Sequence, residues 1–473
     1  MQNTQEFSHK SKLQSINDAR TSGDAIELTT TVSPKFLILS SILYLIVVIL
    51  FSIAIEYPKA IDIKNEDDMS YYSMYMDVHV MLFLGFGLLM TFIDRYSYSG
   101  VGFNLLVLSI CIPWGIFMYK YRHFKITETV TIHGDDLVYG DFAAAVILIS
   151  FGGVLGRISP VQLLLMSFIE ILFWALNWHI NEKYLNVLDC GGSILVHIFG
   201  AYFGLSVSFI MGSPSKDKIK RYNKTNYNSN LFSVTGTLLL WVYWPSFNGY
   251  LANNDNYGTD RAYINTVLCL CSCTFTTFVI SKLLNEKKKY DMVYIQNATL
   301  AGGVIIGTSA DLYITPGCAL LIGIYAGILS CAGFRFISDW LHNKLYIYDT
   351  CGIHNLHGLP GISGGIISFI VLVSSSRQPE KIYPSDMFGD NTILKQSYIQ
   401  IISTVVTLFM AIFTGLITGI IIKYLPKKIN VFIDDDDWDV PYTSNISKYK
   451  INYEYPTTPI HSGLLNDNNN NKQ

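Results

Sequence analysis

Charge is what this chain of 473 residues has least of. Asp, Glu, Lys and Arg make up 15% of it, against ~25% in an ordinary soluble domain. That deficit excludes a soluble enzyme of average composition. Half of the residues are apolar, which excludes a wholly disordered chain. Neither sign dominates: 33 basic residues face 36 acidic ones, for a net charge of −3. There is therefore no basic footprint for nucleic acid. The eight cysteines are too few and too scattered for a disulfide scaffold. The polar first 33 residues lack the short apolar core and small-residue cleavage site of a signal peptide.

Long apolar runs are what the chain has instead. Mean hydropathy is +0.33. Twelve runs approach the ~20 residues that a helix needs to cross ~30 Å of hydrocarbon. They fall near 36–56, 76–94, 101–119, 142–158, 160–178, 191–212, 230–248, 262–284, 293–310, 315–335, 358–375 and 398–424. The spacing predicts an all-α polytopic membrane protein, because a lipid-exposed segment must satisfy its own backbone hydrogen bonds. Residues 1–33 read as a polar tail, 34–425 as the transmembrane domain, and 426–473 as a largely disordered tail with acids Asp434 to Asp437 and an Asn468–Asn471 tract.

Two loops are basic: the one with Lys216, Lys218, Lys220, Arg221 and Lys224, and the one with Lys287, Lys288 and Lys289. Two spans separate them, so they share a side, which the positive-inside rule makes cytoplasmic. Both termini then lie there, and the loops with Glu66, Asp67 and Asp68, and with Asp255 and Asp260, face outward. Lys120, Arg122 and Lys125 count against this orientation. In it the sequons at Asn223 and Asn445 face the cytoplasm and carry no glycan, and that at Asn297 falls in a span.

Two segments share a pattern: Asp189-Cys-Gly-Gly-Ser-Ile-Leu-Val-His197 and Asp349-Thr-Cys-Gly-Ile-His-Asn-Leu-His357. Each leads into an apolar span, the sixth and the eleventh. Five spans apart, these helices cross in opposite directions, the signature of a five-plus-five inverted repeat with its site near the midplane. The first and twelfth spans lie outside it. Asp189 and Asp349 read as helix N-caps and also as carboxylates that attract cations. A lone membrane histidine is as well explained by an interhelical hydrogen bond, but equivalent His197 and His357 are expected to meet on the pseudo-two-fold axis. A neutral imidazole pair donates and accepts, which suits a small polar molecule.

Other signals are blander. His354 reads as a helix-start contact and His79 as a satellite. Trp241 to Asn248, including Trp244 and Phe247, reads as an interfacial aromatic belt with Pro245 marking a stop. Asp141 and Phe142 read as cap plus core, and Glu170 as a mid-span carboxylate needing a partner. Cys269, Cys271 and Cys273 scatter round a helix, unlike a metal site. Gly85, Gly87, Gly152, Gly153, Gly302 and Gly303 permit close helix packing.

Four stretches resemble the Rh branch of the ammonium transporter (Amt/Mep/Rh) superfamily: Asp77-Val-His-Val-Met-Leu-Phe-Leu-Gly-Phe-Gly-Leu-Leu-Met-Thr-Phe, Trp244-Pro-Ser-Phe-Asn248, Gln296-Asn-Ala-Thr-Leu-Ala-Gly-Gly303, and Asp349 through Gly358. The resemblance runs from about residue 36 to 425, and the extra first span fits it. It implies a homotrimer in the bilayer with one narrow ammonia pore per subunit, and neither catalysis nor a cofactor. It matches His197 and His357 to twin pore histidines, Phe142 and Phe247 to an outer gate, and Asp189 and Asp349 to recruitment and helix-capping acids. Ser193, Asn248 and Trp178 are further pore-lining candidates. Rh glycoproteins often carry an acid where this chain has Trp178, and many have a sequon in the first external loop, which is absent here.

The expected process is recruitment of ammonium at the outer mouth, loss of its proton, and downhill passage of neutral ammonia. An Amt-like variant moves net charge instead. Rival readings are carbon dioxide conduction, an ammonium sensor of the same fold, and a membrane cytochrome with the histidines as haem ligands. The expected location is the plasma membrane or an acidic internal vesicle.

Overall fold

In the computed structural model the described residues are 34–58, 70–123, 129–252, 257–376, 388, 391–428 and 430–440. Glu66, Asp67, Asp68, Lys125, Asp255, Asn445 and Asn468–Asn471 lie outside them. Twelve long helical segments follow one another, as the apolar runs predict. They are α1 (Pro34–Ala54), α2 (Tyr72–Phe92), α3 (Ser97–Lys120), α4 (Asp136–Val154), α5 (Pro160–Leu185) and α6 (Ser193–Met211). Then come α7 (Tyr227–Gly249), α8 (Gly258–Leu284), a broken α9 (Met292–Ala298, Ala301–Ile306 and Gly307–Ser309), α10 (Pro316–Leu345), α11 (His354–Ser375) and α12 (Ile393–Lys423). Ten of these are long and apolar enough to cross a membrane; the other two are α7 and α9.

Local chemistry sets many of the boundaries. Ser159 and Gln162 form a reciprocal capping box at the start of α5, with Pro160 in its first turn. Asn226 and Ser229 do the same for α7. Thr315 and Thr392 cap α10 and α12. Pro245 does not stop α7, which runs on to Gly249. A proline removes one N–H from a helix without ending it when tertiary packing holds the following turn, and Trp244, Phe247, Asn248 and Gly249 are all buried there.

Burial separates centre from periphery. The apolar window of α4 is 89% buried, that of α1 only 11%. α1 lies on the flank with Leu37, Ile42, Leu45 and Ile53 exposed. A helix apolar all round with an outward face suits a lipid environment.

The basic residues that bear on orientation differ in their surroundings. Lys120 is paired with Asp136 at 2.9 Å and Arg122 with Glu182 at 2.7 Å. These two basic residues are therefore paired within the fold. The loop from Lys216 to Tyr222 is a short surface helix with no buried residue.

The acidic run after α12 departs from expectation. Its first carboxylate is buried, accepting from the backbone N–H of Tyr98 at 2.9 Å and of Ser99 at 2.8 Å. α3 has no side-chain cap of its own, so Asp434 satisfies two of its orphan amides from far along the chain. Trp438 packs on Phe103 and donates its indole N–H to Ser99 Oγ at 2.8 Å. Order in the tail therefore extends through these residues, and the disordered reading of 426–473 is corrected for this stretch.

Candidate functional site

α6 and α11 both begin with a wide π-helical turn, Ser193–Ile198 and His354–Gly358. Such turns rotate side chains off the regular helical register. Each is built by the same device. Gly192 and Gly352 take positive φ, 65° and 76°, a conformation that costs glycine little. The aspartate three residues earlier then caps the turn. Asp189 Oδ2 accepts from the N–H of Ile194 (2.9 Å) and Leu195 (2.7 Å), while its Oδ1 accepts from Thr308 Oγ1 (2.6 Å). Asp349 Oδ1 accepts from Gly352 and Ile353, both at 3.0 Å, and its Oδ2 from His354 at 2.9 Å.

The two turns bring His197 and His357 together. Their Nδ1 atoms are 3.1 Å apart, and the rings lie within 18° of parallel. Both are buried, at 1% and 3% exposure. One Nδ1 must donate and the other accept. The outer nitrogens therefore carry complementary roles, one N–H and one lone pair. Nε2 of His197 has no protein partner. Trp244 and Phe247 flank His197, and Phe86 lies parallel to His357. Two axial ligands of a haem iron need nitrogens about 4 Å apart, given metal–nitrogen bonds near 2.0 Å; the observed contact leaves no room for a macrocycle.

Phe142 of α4 and Phe247 of α7 meet edge to face, with centroids 4.9 Å apart. Each of these phenylalanines has a tethered neighbour. Asp141 accepts from His79 Nδ1 at 3.1 and 3.2 Å, and Ser246 Oγ donates to Asp77 Oδ2 at 2.6 Å. Asp77 and His79 lie two residues apart on α2, so one helix holds the neighbours of both phenylalanines. The sequence reading leaves Asp77 and Ser246 unassigned. Their pairing joins distant segments and has no local pattern.

A cavity of about 230 Å³ is lined by Tyr139, which packs edge-on against Phe142, and by Trp178, Glu182, Asp189, Leu195 and Asp311 among others. Trp178 packs edge-on against Tyr139 and Tyr119. On the other side of the histidines the space is about 20 Å³, lined by Phe86, Leu89, Leu148, Ile149, Ile353, Leu356 and His357 among others.

Ser193 and Asn248 are fully buried and bonded to α9 rather than lining either cavity. Ser193 Oγ donates to Val304 O at 2.6 Å and accepts from Thr308 N at 2.8 Å. Asn248 Nδ2 donates to Gly303 O at 3.1 Å. His354 packs edge-on against Tyr202. Glu170 meets Ser150, whose hydroxyl also contacts Gly200 O. Arg157 is buried with its guanidinium on Tyr348 O, Ser208 Oγ and Gly212 O, which fixes the residue before Asp349. Of the three alternating cysteines, Cys269 and Cys273 are buried and Cys271 is exposed.

A family model described as Ammonium Transporter Family matches residues 36–440. The chain is 40% identical over 436 residues to Ammonium transporter Rh type B of Oryzias latipes, covering 87% of this chain and 94% of that one. It is 41% identical over 424 residues to Ammonium transporter Rh type C of Homo sapiens, covering 85% and 88%. The solved structure of Rh50 from Nitrosomonas europaea, described with the Rhesus protein family of channels, superposes with a TM-score of 0.67 at 31% identity, covering 80% of this chain and 94% of that one.

Proposed function

The chain belongs to the ammonium transporter family, on its Rh side, and from that premise we propose how it moves its substrate. It is a membrane channel for ammonium and ammonia. Ammonium gathers in the cavity of Trp178, Tyr139 and Asp189, which faces outward when the basic loops face the cytoplasm. A cation in a low-dielectric neck costs several kcal/mol at least. Ammonium therefore gives up its proton before the neck, and neutral ammonia passes Phe142 and Phe247.

At the midplane ammonia meets His197 and His357. It donates to the ring nitrogen that carries a lone pair and accepts from the one that carries a proton. Beyond them the lining is mostly apolar, so ammonia leaves without a strong binding site and is protonated again in water. Hydrated sodium and potassium are excluded because the apolar neck offers nothing to replace their water. Transport is electroneutral and follows the ammonia gradient. The observation that carries this reading is the buried histidine pair directly beneath the phenylalanine pair.

The assembly is a homotrimer with one pore per subunit, in the plasma membrane or an acidic internal vesicle. Proteoliposomes of the pure protein under an inward ammonium chloride gradient test the mechanism. Fast internal alkalinisation without current is expected. Ammonium-dependent current overturns the electroneutral mechanism, and no response above protein-free liposomes overturns ammonia conduction itself.

A further inference from the structure

A second pair of histidines stands away from the pore axis. α3 ends at Lys120, and Tyr121, Arg122 and His123 follow as a turn. His179 is the residue after Trp178 on α5. The two imidazoles face each other with Nδ1 3.0 Å from Nδ1 and rings at 71°. His179 is buried and His123 exposed. A cavity of about 450 Å³ is lined by Arg122, His123, Glu182 and Lys183. Glu182 also lines the cavity of Trp178 and Asp189, so the second pair adjoins the outer mouth.

We propose that His123 and His179 form a binding site for one imidazole-preferring transition-metal ion, Cu²⁺ ahead of Ni²⁺ and Zn²⁺. Two nitrogens each about 2.0–2.1 Å from one ion lie about 2.9 Å apart at a square-planar cis angle and about 3.3 Å apart at a tetrahedral one. The observed 3.0 Å is a hydrogen bond between the two Nδ1 atoms, one donating and one accepting, so an ion that takes the place of the shared proton needs little change in their separation. The rings must turn so that both lone pairs aim at the ion. His123, exposed and past the last helical turn, has room to do so. Among the described residues no group of three His, Cys, Asp or Glu forms a larger metal cluster.

Charge around the pair selects the class of ion. Arg122 holds Glu182 through two bonds, at 2.7 and 3.0 Å, and lies 3.9 Å over the Tyr119 ring. Lys183 adds a second positive charge against one carboxylate. Hard cations such as Ca²⁺ and Mg²⁺, held by oxygen and charge alone, are disfavoured there. Cu²⁺ and Ni²⁺ gain from the imidazole bond itself. A bound dication also adds positive charge beside Glu182, which lowers the local concentration of ammonium at the mouth. This inhibitory consequence rests on the proposed ammonium recruitment; the binding site does not.

The test is a Cu²⁺ titration of the full-length chain in detergent, read by electron paramagnetic resonance. One saturable copper with hyperfine coupling to two nitrogens is expected from this pair. His123→Ala and His179→Ala are each expected to weaken it by about tenfold or more, which is ~1.4 kcal/mol or more. His133→Ala, a histidine outside the pair, is expected to leave it unchanged. Because His123 is exposed, its variant keeps the elution profile of the parent chain. Copper binding of equal affinity in the double variant overturns the site, as does the absence of saturable binding. In proteoliposomes, external Cu²⁺ is expected to slow alkalinisation severalfold in the parent and not in His123→Ala. Slowing that persists in the variant overturns the inhibitory role. Failure of ammonia flux without copper counts against the transport reading and leaves the resonance result to judge the site.

Discussion

In the Asp189 arm one carboxylate oxygen takes two backbone amides and the other takes the Thr308 hydroxyl. In the Asp349 arm the two oxygens together take three amides. Both arms then place a left-handed glycine three residues on and a histidine eight residues on. What they share brings His197 and His357 into contact, where one ring nitrogen donates and the other accepts. They differ at the mouths: about 230 Å³ with Trp178, Tyr139 and carboxylates on one side, about 20 Å³ of mostly apolar lining on the other. On the proposed mechanism the repeat supplies the symmetric chemistry of a neutral molecule, and the handling of charge is confined to the asymmetric end.

The largest effect is expected from removing a capping acid. Each buried amide left without an acceptor costs about 1–3 kcal/mol. Asp349→Ala strands three amides. Asp189→Ala strands two and a hydroxyl that can rotate to another acceptor. Asp349→Ala should therefore lower the thermal unfolding midpoint of the detergent-solubilised chain further than Asp189→Ala. Equal tolerance of both substitutions would break the claim that these carboxylates build the two turns.

Next in size is the histidine pair, where the arms are expected to behave alike. His197→Ala and His357→Ala each remove one partner of the Nδ1 contact and one of the two groups facing ammonia. Loss of a hydrogen bond worth about 1 kcal/mol corresponds to a fall in flux of about fivefold. Stopped-flow alkalinisation measures it. A large loss in one variant with none in the other would show that the pair does not act as a symmetric unit.

Much of the shared plan was legible because it is local. An acid, a glycine and a histidine within nine residues define the turn, and the count of spans between the copies gives their opposed directions. The mouths were less legible because their contacts join distant segments. His79 and Asp77 steady the two gate residues from another helix, a relation with no spacing of its own. Ser193 and Asn248 read as pore-lining candidates, and their bonds to α9, at Val304, Thr308 and Gly303, have no sequence pattern that announces them. Asp434 read as part of a solvated acidic tail because the amides it caps belong to a helix more than 300 residues earlier. Pro245 read as a stop because sequence does not display the packing that carries α7 through it.

The neck separates the two mouths, and its substitution sharpens the comparison further. Phe142→Ala removes one face of the 4.9 Å aromatic contact and widens the outer side. Methylammonium uptake is expected to rise severalfold relative to ammonia flux. Phe86→Ala, on the His357 side of the pair, is expected to change that ratio less. Equal changes would place the size filter at the histidines rather than at the phenylalanines.

The smallest effect belongs to Trp178, and it is the one that tests directionality. A cation over an indole face gains about 0.5–1 kcal/mol at an exposed site, equivalent to a two- to fivefold change in affinity. Trp178→Leu keeps an apolar side chain in the cavity while removing that attraction. With ammonium supplied from the Trp178 side, the concentration for half-maximal flux should rise two- to fivefold while the maximal rate stays within a factor of two. With the gradient reversed, the mostly apolar inner mouth meets the substrate first, so half-saturation should not move. A rise in both directions would mean that Trp178 acts on the shared pore rather than on recruitment, and the assignment of charge handling to one mouth would fall with it.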